Sequence, residues 1–490
     1  MLRTYNIVKN NNFVGRVREW QRLERIVASQ QSAVVVVHGR RRVGKTELLE
    51  QFFRQRNVLK FEGIEGQDES YQKRSFAMQL AEYLGAKSTI TNAANSWPHL
   101  LRILADETAQ GAWTIYLEEF QWMAAYHSTL VAELKYIWDN HLRHNPELIL
   151  VLCGSSPSFM TTSVVRSKSL YSRSLHELPL KPFSLTEATQ FLAKHDPLDV
   201  LQIYLSVGGI PEYLHYFRTE KSVPLALSRE SFLPGGYFTS EYDRIFVSAL
   251  GDKPEYKKVI NFLAMARFAS RQEISRALGV ESGGGLTDIL ENLEQSDLIE
   301  SYWRFGASPS SKLKRYAIKD YYLQFYGRFI YPMLEAIKDG AFVDQPTKPL
   351  NLATFQQWLG YSLERFVRHH QYQLASHLGF SAVDYKAGPF FRRSDLNDGR
   401  GYQVDLVFDR ADRVLTICEI KHTRAAVGTA VIDDVEQKIE RMLSSSRSLS
   451  KRTIQRVLVA PNGATDAVRN RMYFDAVVGL EAFVLHPFGP

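Results

Sequence analysis

Short apolar blocks closed by glycine or acidic turns mark the first third of the chain. Ala33 to Val37 reads AVVVV, the β-branched run of a strand buried on both faces of a parallel sheet. Thr114 to Leu117 and Leu148 to Cys153 are blocks of the same kind, and Glu47 onward (ELLEQFF) starts a helix. Together they predict an α/β domain with a parallel sheet. Residues 178–250 read as mostly helical, with Ser184-Leu-Thr-Glu187 spaced as a capping box. From Pro254 the pattern shortens to three helices, Tyr256 to Phe268, Arg271 to Leu278 and about Gly285 to Ser296. Alternation from Ile299 to Ile318 then predicts a two-stranded wing. An amphipathic helix over Phe355 to Leu374 follows. Beyond it come strands at Gln403 to Phe408 and Val414 to Lys421 around a turn, a helix over Ile432 to Leu443, and a strand at Arg456 to Ala460.

The length of 490 residues suggests about three domains. Hydrophobic residues at 45% and charged residues at 23% exclude disordered, collagen-like and rod-like classes. No apolar run approaches the ~20 residues of a membrane-spanning helix, and MLRTYNIVKNNNF lacks the apolar stretch of a secretory signal. Cys153 and Cys418 are too few for a disulfide framework or a cysteine zinc site. The chain reads as cytoplasmic, with no membrane partner. Its net charge of +7 (60 basic against 53 acidic side chains) suits a nucleic-acid partner without establishing one.

The most specific motif follows the first apolar block. Gly39-Arg40-Arg41-Arg42-Val43-Gly44-Lys45-Thr46 fits G-x-x-x-x-G-K-[ST] between a strand and a helix, the context this phosphate loop requires. The two glycines let backbone N–H groups from Gly39 through Glu47 converge on phosphate oxygens, and the helix N-terminus adds partial positive charge. Lys45 is expected on the β- and γ-phosphates of ATP and the Thr46 hydroxyl on Mg²⁺. Glu118 and Glu119 end the second block. Glu118, where Asp is usual, is the expected metal-shell carboxylate, and Glu119 the group that polarises water. A polar residue of Gly154-Ser155-Ser156 would face the γ-phosphate or the water.

Several further segments carry a resemblance. Phe13-Val-Gly-Arg16-x-x-Glu19-x-x-x-Leu23, the acidic strand end followed by Phe120-Gln121, Leu170-Tyr171-Ser172-Arg173, and Gly208-Gly209-Ile210-Pro211-x-Tyr213-Leu214 occur in the order found in archaeal-type AAA+ ATPases of the STAND class. The chain resembles that family over about residues 10 to 220. The resemblance implies a helical lid, Arg173 as the arginine facing developing phosphate charge, and Pro211 as an adenine contact. Arg143 competes for the arginine role, and a homo-oligomer would share Arg173 across subunits.

The C-terminal hairpin holds a second constellation. Residues two apart in a strand share a face, so Glu419 and Lys421 project together, and the hairpin brings Asp405 beside them. Two carboxylates and a lysine can bind Mg²⁺ and activate water. Glu364 is a further candidate ligand, and Gln437 and Lys438 lie on the later helix. Helix, three strands, helix, strand with D…ExK resembles the PD-(D/E)xK restriction-endonuclease-like superfamily over about 345 to 490. Val404 stands where that family's proline is usual.

The expected architecture is therefore α/β: a P-loop ATPase core (1–177), a helical lid (178–250), a winged helix-turn-helix and connector (251–335), and a nuclease-like domain (336–490). ATP state would control a Mg²⁺-dependent DNA nuclease. In the competing reading, a STAND-type signalling ATPase binds DNA or a protein partner through its C-terminal domain without cleaving. A winged-helix regulator would need a basic recognition helix, yet the third helix carries Asp288, Glu291 and Glu294. Lys312, Lys314 and Arg315 on the wing are the best residues there for DNA. His369-His370 reads as a helix-surface pair.

Overall fold

The computed structural model describes residues 13–85, 96–124, 129–166, 175–250, 253–266, 268–280, 283–303, 305, 314–392, 401–444 and 448–484. The chain forms two compact units. The first is Met1–Phe183 with Ile210–Glu212 and Arg244–Asp252; the second is Ser184–Gly209, Tyr213–Asp243 and Lys253–Pro490.

In the first unit, β1 (Ala33–His38), β2 (Asn57–Glu62), β3 (Trp113–Glu118), β4 (Ile149–Gly154) and β5 (Leu175–Pro179) form one parallel sheet ordered β2-β3-β4-β1-β5. Every residue of β1 and β4 is buried. Alternation divides them between two cores. Val34, Val36, Leu150 and Leu152 meet the helices Glu69–Leu84, Trp97–Glu107 and Leu130–Asn140. Val35, Val37, Val151 and Cys153 meet Trp20, Leu48 and Phe52 on the other face. Because all five strands run the same way, the segments after β1, β3 and β4 open along one edge, where such sheets bind ligands.

In the second unit, the helices Leu185–Phe191, Pro197–Val207 and Val223–Phe232 follow the first core, and Ser184 and Glu187 make the reciprocal bonds of a capping box. Leu205 O accepts from Ser362 Oγ (2.8 Å), and Tyr204 lies edge-on to Phe366, so the Pro197–Val207 helix packs on Leu352–His369. Next come helices Pro254–Ala266, Arg271–Leu278 and Gly284–Gln295. They sit with a small antiparallel sheet, β6 (Ala269–Ser270), β7 (Ile299–Tyr302) and β8 (Arg315–Ile318), ordered β6-β8-β7. The short β6 was not visible as a hydrophobic period because two residues are too few to show one. At the start of β8, Arg315 pairs with Glu273 (2.8 Å) and the preceding Lys314 lies 3.8 Å from Glu294. Lys312 is outside the described residues.

The C-terminal part holds a mixed sheet of β9 (Tyr385–Arg392), β10 (Tyr402–Arg410), β11 (Val414–Ile420), β12 (Thr453–Val459) and β13 (Ala476–Val478), ordered β13-β12-β11-β10-β9. β10 is antiparallel to both of its neighbours, β9 and β11; β12 and β13 run parallel to β11. The helix Ala430–Ser444 covers one face with Val431, Val435, Ile439 and Met442 against Leu415, Ile417 and Leu458.

The expected single helix over 355–374 breaks at His370, between Leu352–His369 and Gln371–His377. The two histidines are not a surface pair. His369 Nε2 contacts Glu300 at 2.6 Å, while the His370 ring stacks on Phe366 with centroids 4.0 Å apart. Burial pushes His370 down to about 4. A folded value below the unfolded one means that the unfolded chain binds the extra proton between about pH 6.5 and 4, so stability should fall with pH across that window. The expected loss is roughly 2 kcal/mol once the partial exposure of the ring is discounted. Urea unfolding of the wild type and His370→Gln at pH 7 and pH 4.5 checks this; parallel pH dependences would refute it.

Candidate functional site

The loop after β1 is shaped by close approach. At Gly39 a Cβ would collide with the Leu180 carbonyl oxygen, and Gly44 has φ +90°, the left-handed region that glycine adopts without strain. Gly39→Ala should overpack this contact, costing about 1–3 kcal/mol and lowering the first unit's melting temperature by several degrees. An unchanged melt would show that the loop yields freely.

Gly44 caps the helix Lys45–Phe53, with no side chain bonded to the helix's first N–H groups. Those donors are thus available to an anion. Val43 is fully buried, Arg40 and Arg42 half-buried, and Arg41 exposed. Glu47 is exposed, its carboxylate accepting from Gln51, so only its backbone N–H can serve a phosphate. Lys45, buried, donates to the carbonyls of Gly39 and Arg40, both at 3.0 Å. Its ammonium sits inside the loop that it would share with phosphate.

Arg16 braces this loop from outside. Its guanidinium donates to Val43 O (2.6 Å) and Lys181 O (2.7 Å) and lies over the Phe183 ring. Sequence reading placed Arg16 in a motif without assigning it this work. The available signal was an arginine just before a helix, within the segment that starts at Phe13. Pro211 Cγ would lie 3.9 Å from a Cβ at Gly44, which places Pro211 beside the loop.

The Thr46 hydroxyl donates to Glu118 Oε1, so the longer acid reaches the position Asp usually serves. Lys60 contacts Glu118 Oε2 at 2.6 Å and Glu50 at 2.9 Å. Burial opposes the Glu118 charge, but hydrogen bonds from Lys60 and Thr46 hold its carboxyl below the ordinary range. Lys60 was missed because a lone lysine in β2 reads as a solvated position. Glu119 sits at φ +50°. Its Oε2 accepts from Ser155 Oγ (2.7 Å) and Gln121 Nε2 (2.5 Å), tying the end of β4 to the acid. One hydroxyl and one carboxylate, with a second acid adjacent, form a donor set that suits Mg²⁺, which keeps several waters and takes one or two carboxylates.

Arg143 does not reach this edge. Its carbonyl accepts from Ser32 Oγ, just before β1, which places it at the opposite end of the six-residue strands, about 20 Å away. Arg173, with the rest of Leu170–Arg173, lies outside the described residues.

The second unit brings the hairpin acids together. Asp405, 7% exposed, accepts from the Ile420 N–H (2.9 Å), and Glu419 is 2% exposed. Leu406 pairs with Cys418, so the next step of the antiparallel register sets Asp405 opposite Glu419. A register shift between Val404 and Val407 on the β9 side turns β10 at this point. Burial and then the charges of Glu419 and Glu364 push Asp405 well above the carboxylate range. Burial raises Glu364 too, Glu419 adds to it, and Arg368 opposes it.

Lys421 and Lys438 both contact Glu419 Oε1, at 2.8 and 2.7 Å, and Asp434 lies 3.1 Å from Lys438. Burial works against both ammonium charges, yet Glu419 holds them above their ordinary range. Glu364 accepts from Gln403 (3.2 Å). Among the described residues no three His, Cys, Asp or Glu side chains are grouped as a ready cation cage. Buried, mutually repelling carboxylates nevertheless suit a Mg²⁺ ion that needs only one or two of them.

Residues 13–217 match the family described as an ATPase domain predominantly from Archaea. The chain is 27% identical over 413 residues to an uncharacterized protein of Methanocaldococcus jannaschii, covering 84% of this chain and 87% of that protein. That match is too long to be confined to residues 13–217. Among solved structures, a Walker-type ATPase of Pyrococcus abyssi matches with TM-score 0.48 and 17% identity, over 65% of this chain and 97% of its own. The ORC2 protein of Aeropyrum pernix, in ADPNP–ADP complexes, matches with TM-score 0.45 and 14% identity, over 68% and 98%. No described helix is long and apolar enough to cross a membrane. Over residues 13–217 the chain carries an archaeal-type ATPase domain.

Proposed function

We propose that the protein binds and hydrolyses ATP at the loop of residues 39–46, and that its nucleotide state governs a Mg²⁺-dependent DNA-cleaving site at the β10–β11 hairpin. Lys45 would exchange the Gly39 and Arg40 carbonyls for the β- and γ-phosphates, and the open N–H groups of its helix would hold their oxygens. Thr46 and Glu118 would hold Mg²⁺. Ser155 and Gln121 orient Glu119 through one oxygen, leaving the other for the attacking water. Pro211 would border the adenine, and Arg173 would serve the γ-phosphate, across subunits in a homo-oligomer.

At the hairpin, Asp405 and Glu419, with Glu364, would hold Mg²⁺, while Lys421 and Lys438 steady negative charge near Glu419. In both sites the ion, when bound, supplies Lewis-acid polarisation and lowers the pKa of water. The observation that carries control by nucleotide is the Ser362–Leu205 bond. The lid helix Pro197–Val207 bears directly on the helix that carries Glu364, so a lid shift would move an acid of the second site. The order of the Pro254–Ile318 elements supports a winged-helix module, and its ion-paired wing favours a packing role over groove reading.

One observation favours the second reading, a STAND-type regulator that binds without cutting: two lysines already neutralise Glu419. Incubation of the full chain with single- and double-stranded DNA and Mg²⁺, with and without ATP, separates the two. Cleavage that changes with ATP supports the first. ATP hydrolysis with no cleavage of any substrate would transfer the assignment to the second.

A further inference from the structure

A cleft of about 500 Å³ in the second unit lies between the helix Pro254–Ala266, the helix Leu352–His369 and the β9–β10 edge of the mixed sheet. Its lining is aromatic and cationic. Phe268, Tyr331 and Tyr361 contribute rings that are 41%, 43% and 38% exposed. Arg328, Arg365 and Arg368 contribute guanidinium groups.

Arg365 is only 6% exposed, its Nε has no hydrogen-bond partner, and its NH2 group donates to Ser362 Oγ (3.2 Å). Its guanidinium lies over the Tyr321 ring, 4.8 Å from the centroid, and feels the charge of Glu300, but no described carboxylate is in ion-pair contact with it. The open Nε of a buried guanidinium leaves it able to donate to an anion entering the cleft. Glu364 and Gln403 also line the cleft, and Glu364 feels the charge of Glu419. The cleft therefore leads from cations and exposed rings to the acidic cluster.

We infer that this cleft takes an unpaired stretch of a nucleic-acid strand, with bases stacked on Tyr361, Tyr331 and Phe268 and phosphates on the three arginines. The C-terminal site would then act on single strands or frayed ends. Alternating rings and guanidinium groups match alternating bases and phosphates, and stacking on rings tolerates any base. A space of this size suits one or two nucleotides; an intact duplex, with its bases stacked inside, presents none to the rings. The assignment of a cutting role rests on the proposed function; the binding role does not.

The test measures binding in EDTA, where no Mg²⁺-dependent cleavage can occur. Fluorescent single-stranded DNA, single-stranded RNA and blunt duplex DNA are titrated into the full chain and into Arg328→Ala and Tyr361→Ala, whose side chains are exposed enough to leave the fold intact. Single strands should bind more tightly than duplex, and each variant should weaken that binding about tenfold, the scale of losing one stacked base or phosphate contact. The same loss seen with RNA alone would support the cleft and name RNA as its strand. Equal binding of duplex, no binding of single strands, or wild-type affinity in both variants would overturn it. Mg²⁺ is then added. Intact binding without cleavage would remove the nuclease reading and leave the cleft. Cleavage unaffected by either variant would do the reverse.

Discussion

Lys45→Ala should weaken ATP binding by about 10²- to 10³-fold. The ammonium now donates to the carbonyls of Gly39 and Arg40, inside the loop, so it is already aimed where phosphate oxygens would enter. Replacing those bonds by contacts to two phosphates is worth about 3–4 kcal/mol, since hydrogen bonds to charged groups contribute about 1.5–3 kcal/mol each and 1.4 kcal/mol is one decade. Calorimetric titration with Mg-ATP reads the affinity directly. Thermal melting gives an independent check: nucleotide at about a hundred times its dissociation constant stabilises by roughly 2.7 kcal/mol, and the variant should lose that gain. Undiminished binding would remove the phosphate-loop assignment.

If the β10–β11 hairpin cleaves DNA as proposed, Lys421→Ala should lower that cleavage by about 10²- to 10³-fold, the usual cost of deleting one preorganised charge beside a reacting group. ATP hydrolysis should stay unchanged. Glu419 would remain paired with Lys438, so the buried acid is not left bare and the fold should hold. That arrangement makes the variant informative: a lost rate with an unchanged melting temperature would report chemistry rather than unfolding. Cleavage at the wild-type rate would exclude Lys421 from the reaction. A matched loss in Lys438→Ala would show that the two lysines act as a unit on Glu419.

The strand, loop and helix around residues 39–46 were legible because they are contiguous and the two glycines mark the turn. The hairpin was legible for the same reason, since period-two alternation puts Glu419 and Lys421 on one face and a short turn returns Asp405. Residues that act across the fold were not. Lys60 on Glu118, Arg16 on Val43 and Lys438 on Glu419 join positions far apart in sequence, and no local period encodes such partners. His370 failed for a related reason: a histidine pair at a helix end looks solvated until Phe366 packs against one ring. Arg143 looked plausible as a phosphate arginine until the sheet placed it at the wrong end of the strands.

The sequence by itself determined the parallel-sheet core, the loop of residues 39–46, the acids ending β3 and the acidic hairpin. Each arises from contacts within a few residues or from a strand's own alternation. Only the tertiary structure decided that the helix Pro197–Val207 rests on the helix bearing Glu364, that two lysines share one oxygen of Glu419, and that Arg365 is buried at a cleft lined by rings and further arginines. Those features depend on which surfaces meet, and burial turns an ordinary charge into a costly one only after the chain has packed around it.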